Sequence, residues 1–302
     1  MIFKNINFKK EEITNIEDLI LILRDIKESL IKENQHYKNE NGSFDGIFFR
    51  GQSGTWDLLP GLFREGEYIK NEIRLYEEIL MNNPDKFKDS LTTFEKITIM
   101  QHYGLPTRLL DWTTNALVAL FFAVNKDDDE DAEYFLLDAK SLNENASVGP
   151  KSDKNLFADI NIKIRLECVL NQKSLYDILF DPYYNFVNGL ENKTKNMLEE
   201  TQKLKTPIAA YSKKTNERLK LQSGAFTIHG SEIEIEKESI KPKPYSYYNL
   251  KNTEFVKIFK IKKENKKSIK EELTNIGISN SSLFHELEYQ CRGLIEKIYS
   301  PK

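Results

Sequence analysis

The chain of 302 residues is 30% charged and 39% hydrophobic, a globular balance that excludes a disordered chain and allows one large domain or two modest ones. Its formal net charge of -3 excludes a global positive field for nucleic acid, although a local basic groove stays compatible with it. Two distant cysteines (Cys168 and Cys291) and four histidines form no metal-type cluster, the start MIFKNINFKKEEITN has no sustained apolar region, and no run approaches the ~20 apolar residues of a membrane span, so the expectation is a metal-free cytoplasmic protein with no membrane partner.

Residues 15–36 predict an amphipathic helix, because Ile16, Leu19, Ile20, Leu23, Ile26 and Leu30 recur at helical spacing behind an Asn15 cap with Asp18 three positions on. HYKNENGSFDG is a polar loop, and GIFFRGQ is a short apolar strand that ends at Gly51. NEIRLYEEILMNNPDKF predicts a second helix closed by Pro84; SLTTFEKITIMQHYG predicts a third, stopped by Gly104 and Pro106. Thr113 or Thr114 is expected to cap a fourth helix, NALVALFFAVN. The acidic turn KDDDEDAE then leads into a strand, YFLLDA. From 141 to 210 the pattern blurs, and SLYDILFDPYYNFVNGL is aromatic without a clean period; 204–210 fits either a strand or a loop. RLKLQSGAFTIHG reads as strand, turn, strand, FVKIFKI as a strand, KKSIKEELTNIGI as a helix, and SSLFHELEYQCRGLIEKI as a terminal helix capped by Ser281 or Ser282. This order of helices and strands predicts an α+β fold, with residues 1–45 packed on a main domain of 46–302 that carries a central insertion near 141–205.

Polar chemistry concentrates in two places. Arg50 lies between an apolar strand and a glycine that permits close backbone approach, where a guanidinium grips phosphate or carboxylate, or else pairs with a carboxylate at the core edge. QHYGLPTRLLDW gathers Gln101, His102, Tyr103, Thr107, Arg108, Asp111 and Trp112 around a broken helix. Arg108 and Asp111, three apart, are spaced to pair locally; the alternative to a binding loop is a buried hydrogen-bond network that fixes the loop to the core. The apolar helix that follows is an anchor whose N-terminus would favour an anion. Elsewhere, KIKKENKKSIK reads as a solvated helix start, Tyr183, Tyr184 and Phe186 as core aromatics or a base-stacking group, and His229 and His285 lack metal-like partners in sequence.

Four blocks resemble the FRG domain family: Phe49-Arg50-Gly51, extended as FFRGQS with Trp56, Leu59 and Pro60 following; QHYGLPTRLLDWTTNALVALFFAV; the Arg218, Gln222, Gly224, Phe226 segment; and GISNSSLFHELEYQCRGL with Glu288 at its acidic position. A second resemblance is to ADP-ribosyltransferases, whose first motif is similar to the aromatic-Arg-Gly at the strand end and whose second is similar to the polar strand and apolar helix of 106–123. It implies a split antiparallel sheet with flanking helices, and NAD as the substrate, with no metal. It also implies that Arg50 holds the NAD; on that reading Asp111 or Glu288 acts with it as the catalytic carboxylate, and Gln52, Gln101, His102, Tyr103, Thr107, Arg108, Trp112 and Gln222 are the candidate ligand-binding residues. That class carries a catalytic glutamate on a late strand; Gln222 and Glu217 are the nearest residues here, and neither sits in a glutamate motif. The expected function is therefore an ADP-ribosyltransferase-like effector of a bacterial toxin or anti-phage defence system that binds NAD or a related nucleotide, as a transferase acting on a protein or nucleic-acid target or as an NAD glycohydrolase. The alternatives are a non-catalytic nucleotide- or partner-sensing module and, third, a nuclease.

Overall fold

A computed structural model describes residues 2–32, 46–126, 129–146, 162, 165–166, 170, 204–211, 217–231, 233–236, 239–242 and 247–284. Among the described residues are strands β1 (Ile47–Gln52), β2 (Leu109–Thr113), β3 (Ala132–Asp138), β4 (Ile208–Tyr211), β5 (Gly224–Ile228), β6 (Ile233–Glu236), β7 (Ser239–Pro242) and β8 (Val256–Ile261), and helices α1 (Ile16–Lys32), α2 (Gly66–Lys70), α3 (Glu72–Asn82), α4 (Thr93–His102), α5 (Ala116–Val124), α6 (Ala139–Ala146), α7 (Glu217–Leu221), α8 (Lys263–Asn275) and α9 (Asn280–Leu283). Six strands form one sheet in the order β4-β5-β2-β1-β3-β8, with every neighbouring pair antiparallel, and β6 and β7 form a separate ribbon. The fold is α+β.

The sheet is not uniformly joined. β1 pairs with β3 along its whole length, from Ile47↔Asp138 to Gln52↔Glu133. β2 pairs with β5 along its whole length, from Leu109↔Ile228 to Thr113↔Gly224. Between the two halves, β1 and β2 share the single register position Phe49↔Thr113 and then part. Side chains alternate across a strand, so Phe49 and Gly51 share a face with Thr113, Asp111 and Leu109.

On that face the two halves have separate covers. Over β1, β3 and β8, the α5 residues Val118, Leu120 and Phe121 pack with Leu19, Ile22 and Ile26 of α1 and with Ile269 and Leu273 of α8. Over β2, β4 and β5, Tyr76 of α3 and Ile97 and Met100 of α4 pack on Leu109, Ile208 and Phe226. A third cluster on the other face, including Phe48, Leu110, Trp112, Phe135 and Leu250, spans both halves. Among the described residues the two halves are therefore held together on one face and leave a seam on the other.

Local chemistry sets the element ends. Asn15 caps α1 by accepting from the Asp18 amide at 2.9 Å, as its sequence position predicts. Thr92 and Glu95 form a capping box at the start of α4. At its other end Gly104, at φ +89°, closes a Schellman turn: the Gly104 amide donates to Gln101 O at 2.9 Å and the Leu105 amide to Met100 O at 3.0 Å. Asn115, rather than Thr113 or Thr114, caps α5, accepting from the Leu117 and Val118 amides; Thr113 instead takes the Asn115 amide. Two other readings are corrected. ERLKL is a turn of helix, because Leu219 packs inward on the α4 side of the sheet and the Gln222 amide donates to Arg218 O; the alternation of leucine with charge imitated a strand. α9 begins after Ser279, not Ser281 or Ser282, and stops at an extended Phe284. The aromatic run 174–190, and the remainder of the expected terminal helix with His285 and Glu288, lie outside the described residues.

Candidate functional site

The seam opens into a cavity of about 920 Å³. Its walls come from the parting strands (Arg50, Gln52, Asp111, Thr113), the last turns of α4 (Thr98, Gln101, His102), the middle of α5 (Ala119, Phe122), α7 and its exit (Arg218, Gln222), and the connection after β1 (Trp56, Asp57, Phe63, Arg64). The Schellman turn explains how one short segment builds one side of it. It reverses the chain so that β2 runs back past the helix it has just left, bringing Gln101 within hydrogen-bonding distance of Asp111, with His102 on the same wall.

Arg50 bridges the gap. Its Nη1 donates to the main-chain oxygen of Asp111 at 2.5 Å and its Nε to Gln52 Oε1 at 3.2 Å. Burial pulls its pKa down to about 10, with the Asp111 charge opposing this shift and the Arg64 charge adding to it. Gln52 is in turn fixed by donating from Nε2 to Trp56 O at 2.9 Å. On the facing wall Gln101 donates from Nε2 to Asp111 Oδ1 at 2.7 Å, while its Oε1 accepts from the Thr107 hydroxyl. A hydroxyl proton can point only at the amide oxygen, so Thr107 sets which end of Gln101 faces the carboxylate.

The wall is cationic although the chain is acidic. Arg50, Arg64, Lys126 and Arg218 line the cavity against Asp57 and Asp111. Among the described residues none of these four cations is in an ion pair: Arg64 donates to Leu59 O, and Arg218 lies over the Phe284 ring at 5.3 Å. Among the described residues, no three His, Cys, Asp or Glu side chains converge as a metal site requires, and no helix is long and apolar enough to cross a membrane.

The structure sorts the candidate residues. Arg50, Gln52, Gln101, His102, Asp111, Trp112 and Gln222 all line the cavity. Gln222 Nε2 also donates to Leu283 O at 3.3 Å, tying the wall to α9. The Trp112 ring packs in the core cluster, and its indole N–H donates to Thr227 Oγ1 at 3.0 Å, so its donor is already used. Thr107 is buried behind Gln101 and does not reach the wall. Tyr103 turns outward, 66% exposed, beneath Lys86. Arg108 does not pair with Asp111 and does not line the cavity. It is buried in a bidentate pair with Glu72, with both contacts at 2.6 Å, and Nη1 donates to His229 O, Gly230 O and Ser231 Oγ. Its partner lies thirty-six residues upstream, out of reach of any local spacing argument. The anion site expected at the α5 N-terminus is also overturned: Asn115 occupies two of its amides, and the cavity meets the helix at Ala119 and Phe122 instead. Sequence reasoning missed Arg64, Lys126 and Arg218 as wall cations; only Arg218 carried a signal, as part of the segment around Gln222.

Residues 45–132 match the FRG domain family. The chain carries an FRG domain. The match runs from the residue before the described part of the β1 turn to the first residue of β3, and so contains the parting strands, α4, α5 and every wall residue from Phe49 to Lys126. Arg218, Gln222 and Tyr247 are among the residues that complete the cavity from beyond the matched segment. The full chain matches no curated protein and no solved structure.

Proposed function

We propose that the cavity binds NAD or a closely related dinucleotide and that the protein is an ADP-ribosyltransferase-like effector. The observation that carries this reading is Arg50: a half-buried guanidinium on the wall of a large cavity, without a carboxylate partner among the described residues, and with a second guanidinium, Arg64, on the same wall. Two guanidiniums on one wall, neither in an ion pair among the described residues, repel until an anion comes between them, and a diphosphate supplies the charge and the oxygens for bidentate contact. The ADP-ribosyltransferase-like split sheet belongs to the same reading, and the single shared position of β1 and β2 supports it.

Chemistry would follow from Asp111. When the bond between nicotinamide and ribose breaks, nicotinamide leaves with the electron pair and positive charge builds on the sugar. A carboxylate beside the diphosphate grip, held in orientation by Gln101, is suited to counter that charge until water or a target nucleophile attacks the same carbon. A second reading, a sensor that binds the nucleotide without cleaving it, is favoured by one observation: among the described residues, the cavity wall contains Gln222 and no glutamate.

Calorimetric titration with NAD and ADP-ribose, together with an assay of nicotinamide release, tests both readings. Binding with release is expected. Binding without release would leave the sensor, and no binding of either ligand by the folded protein would end the nucleotide reading.

A further inference from the structure

Resting on that reading, we infer that the base of the bound nucleotide stacks on Trp56, in an aromatic subsite completed by Phe63 and Tyr247 at the Arg64 end of the cavity. All three rings line the cavity. Trp56 is 52% exposed and Tyr247 57%, large apolar surfaces to leave in water on the wall of a cationic cavity. The Phe63 ring centroid is 6.5 Å from that of Tyr247, and Phe63 directly precedes Arg64 in the chain.

The indole is exposed but not loosely held. The main-chain oxygen of Trp56 accepts from Gln52 Nε2 at 2.9 Å and from Lys251 Nζ at 3.2 Å, and the same ammonium takes Thr55 O at 2.9 Å while paired with Glu133 at 2.6 Å. The indole itself lies against Gly54, where an added Cβ would come within 2.8 Å of the ring. A loop tied at three main-chain contacts and cleared by a glycine presents its ring already ordered, which lowers the entropic cost of stacking.

The geometry of charge gives the occupant its chemistry. Gln52 links the two ends, since its Oε1 accepts from Arg50 and its Nε2 donates to Trp56 O. Phosphates held by Arg50 and Arg64 would share the cavity with these flat π-surfaces, and the Glu130 carboxylate beside Gly54 disfavours phosphate at the indole itself. A planar nitrogenous base attached through a ribose to a diphosphate matches this sequence of groups. A bare polyanion would leave the aromatic end unused.

The chain has two tryptophans, and the solvent-exposed one is Trp56; Trp112, although on the cavity wall, is buried with its N–H bonded to Thr227 and emits to the blue. Tryptophan emission is therefore followed during titration of the full-length protein with ADP-ribose and with inorganic pyrophosphate, alongside calorimetry, for the wild type, Trp56→Phe and Trp56→Ala. ADP-ribose is expected to quench the red, solvent-exposed component. The quench should vanish in Trp56→Phe with affinity largely kept, and Trp56→Ala should bind ADP-ribose about tenfold or more weakly, the range for loss of one base–aromatic stack. Pyrophosphate affinity should be the same in all three proteins, which also reports an intact cavity. ADP-ribose binding with unchanged emission and unchanged affinity in Trp56→Ala would overturn the subsite and leave the nucleotide reading standing. An equal loss of ADP-ribose and pyrophosphate binding in Trp56→Ala would overturn it too, by making Trp56 a support of the anion site. Failure of the wild type to bind either ligand would overturn the nucleotide reading, and the subsite with it.

Discussion

Arg50 reaches across the seam of the sheet to the main-chain oxygen of Asp111, at the point where the backbone ladder between β1 and β2 has ended. The side chain does what a further pair of strand hydrogen bonds would otherwise do, and it leaves the rest of its donors facing the cavity. Arg50→Ala should therefore abolish most anion binding, weakening NAD or pyrophosphate by about 10- to 100-fold, the cost of losing hydrogen bonds to a charged group. Stability should change little, since removing a desolvated charge offsets the lost bridge. Calorimetry and thermal melting check the two halves. A collapse of the melting temperature would mean that the guanidinium serves the sheet rather than a ligand.

Asp111→Asn separates binding from chemistry. The amide keeps the shape of the side chain and can still accept from Gln101 Nε2 through its oxygen. It removes a negative charge next to the proposed phosphate grip. NAD affinity should hold or rise, while nicotinamide release falls by about 100-fold or more, the usual cost of one well-placed electrostatic group. Equal release from both proteins would remove Asp111 from the mechanism.

Glu72→Ala tests the opposite kind of arginine. It would leave the Arg108 guanidinium buried without its counterion, at a cost of about 3–5 kcal/mol in urea denaturation, with ligand affinity unchanged in protein that remains folded. Two arginines in the same stretch of fold thus have contrasting roles, and the contrast comes from what faces them.

Much of this was legible in the sequence, for identifiable reasons. Gly104 and Pro106 announced the break that turns α4 back along β2, and the period-two pattern of VKIFKI gave β8. Gln101, His102 and Asp111 stood together in the sequence as a polar turn, and the structure places them with Arg50 on the cavity wall, although the anchor helix does not hold the site at its N-terminus. What was not legible depends on tertiary partners. Nothing near Arg108 reveals Glu72, nothing near Arg64 reveals the cavity it faces, and Tyr103 and Thr107 carry functional groups that the local turn happens to aim outward and inward. A run as short as RLKL has too few residues for its period to decide between helix and strand.

Gly51→Ala should be among the most damaging single-methyl changes in the protein. A Cβ there would lie 2.0 Å from Ala119 O and 2.5 Å from Ala123 N, both backbone atoms of α5 that cannot move without lifting the helix off β1. The expected loss is about 3 kcal/mol, the upper end for overpacking a core, read from the urea midpoint. Because α5 also supplies Ala119 and Phe122 to the cavity, binding should weaken with it. A near-neutral result would show that the helix is not seated on the strand as described.

His229 predicts how stability responds to acid. It is buried beside Arg108, and desolvation first, then that positive charge, pull its pKa down to about 3, with the Tyr248 backbone opposing. The unfolded chain takes up a proton near pH 6.5, while the folded one resists until about 3. Between those values the unfolded state binds more protons, so folding stability rises with pH. The contribution is fully present above 6.5 and drains away as pH falls toward 3, at up to about 1.4 kcal/mol per pH unit. His229→Gln, which keeps a polar group opposite Thr227 Oγ1 and cannot titrate, should flatten this part of the curve. Urea denaturation at intervals from pH 4 to 7, in the wild type and the variant, gives the two slopes; identical slopes would show that His229 is protonated as readily in the folded protein as outside it.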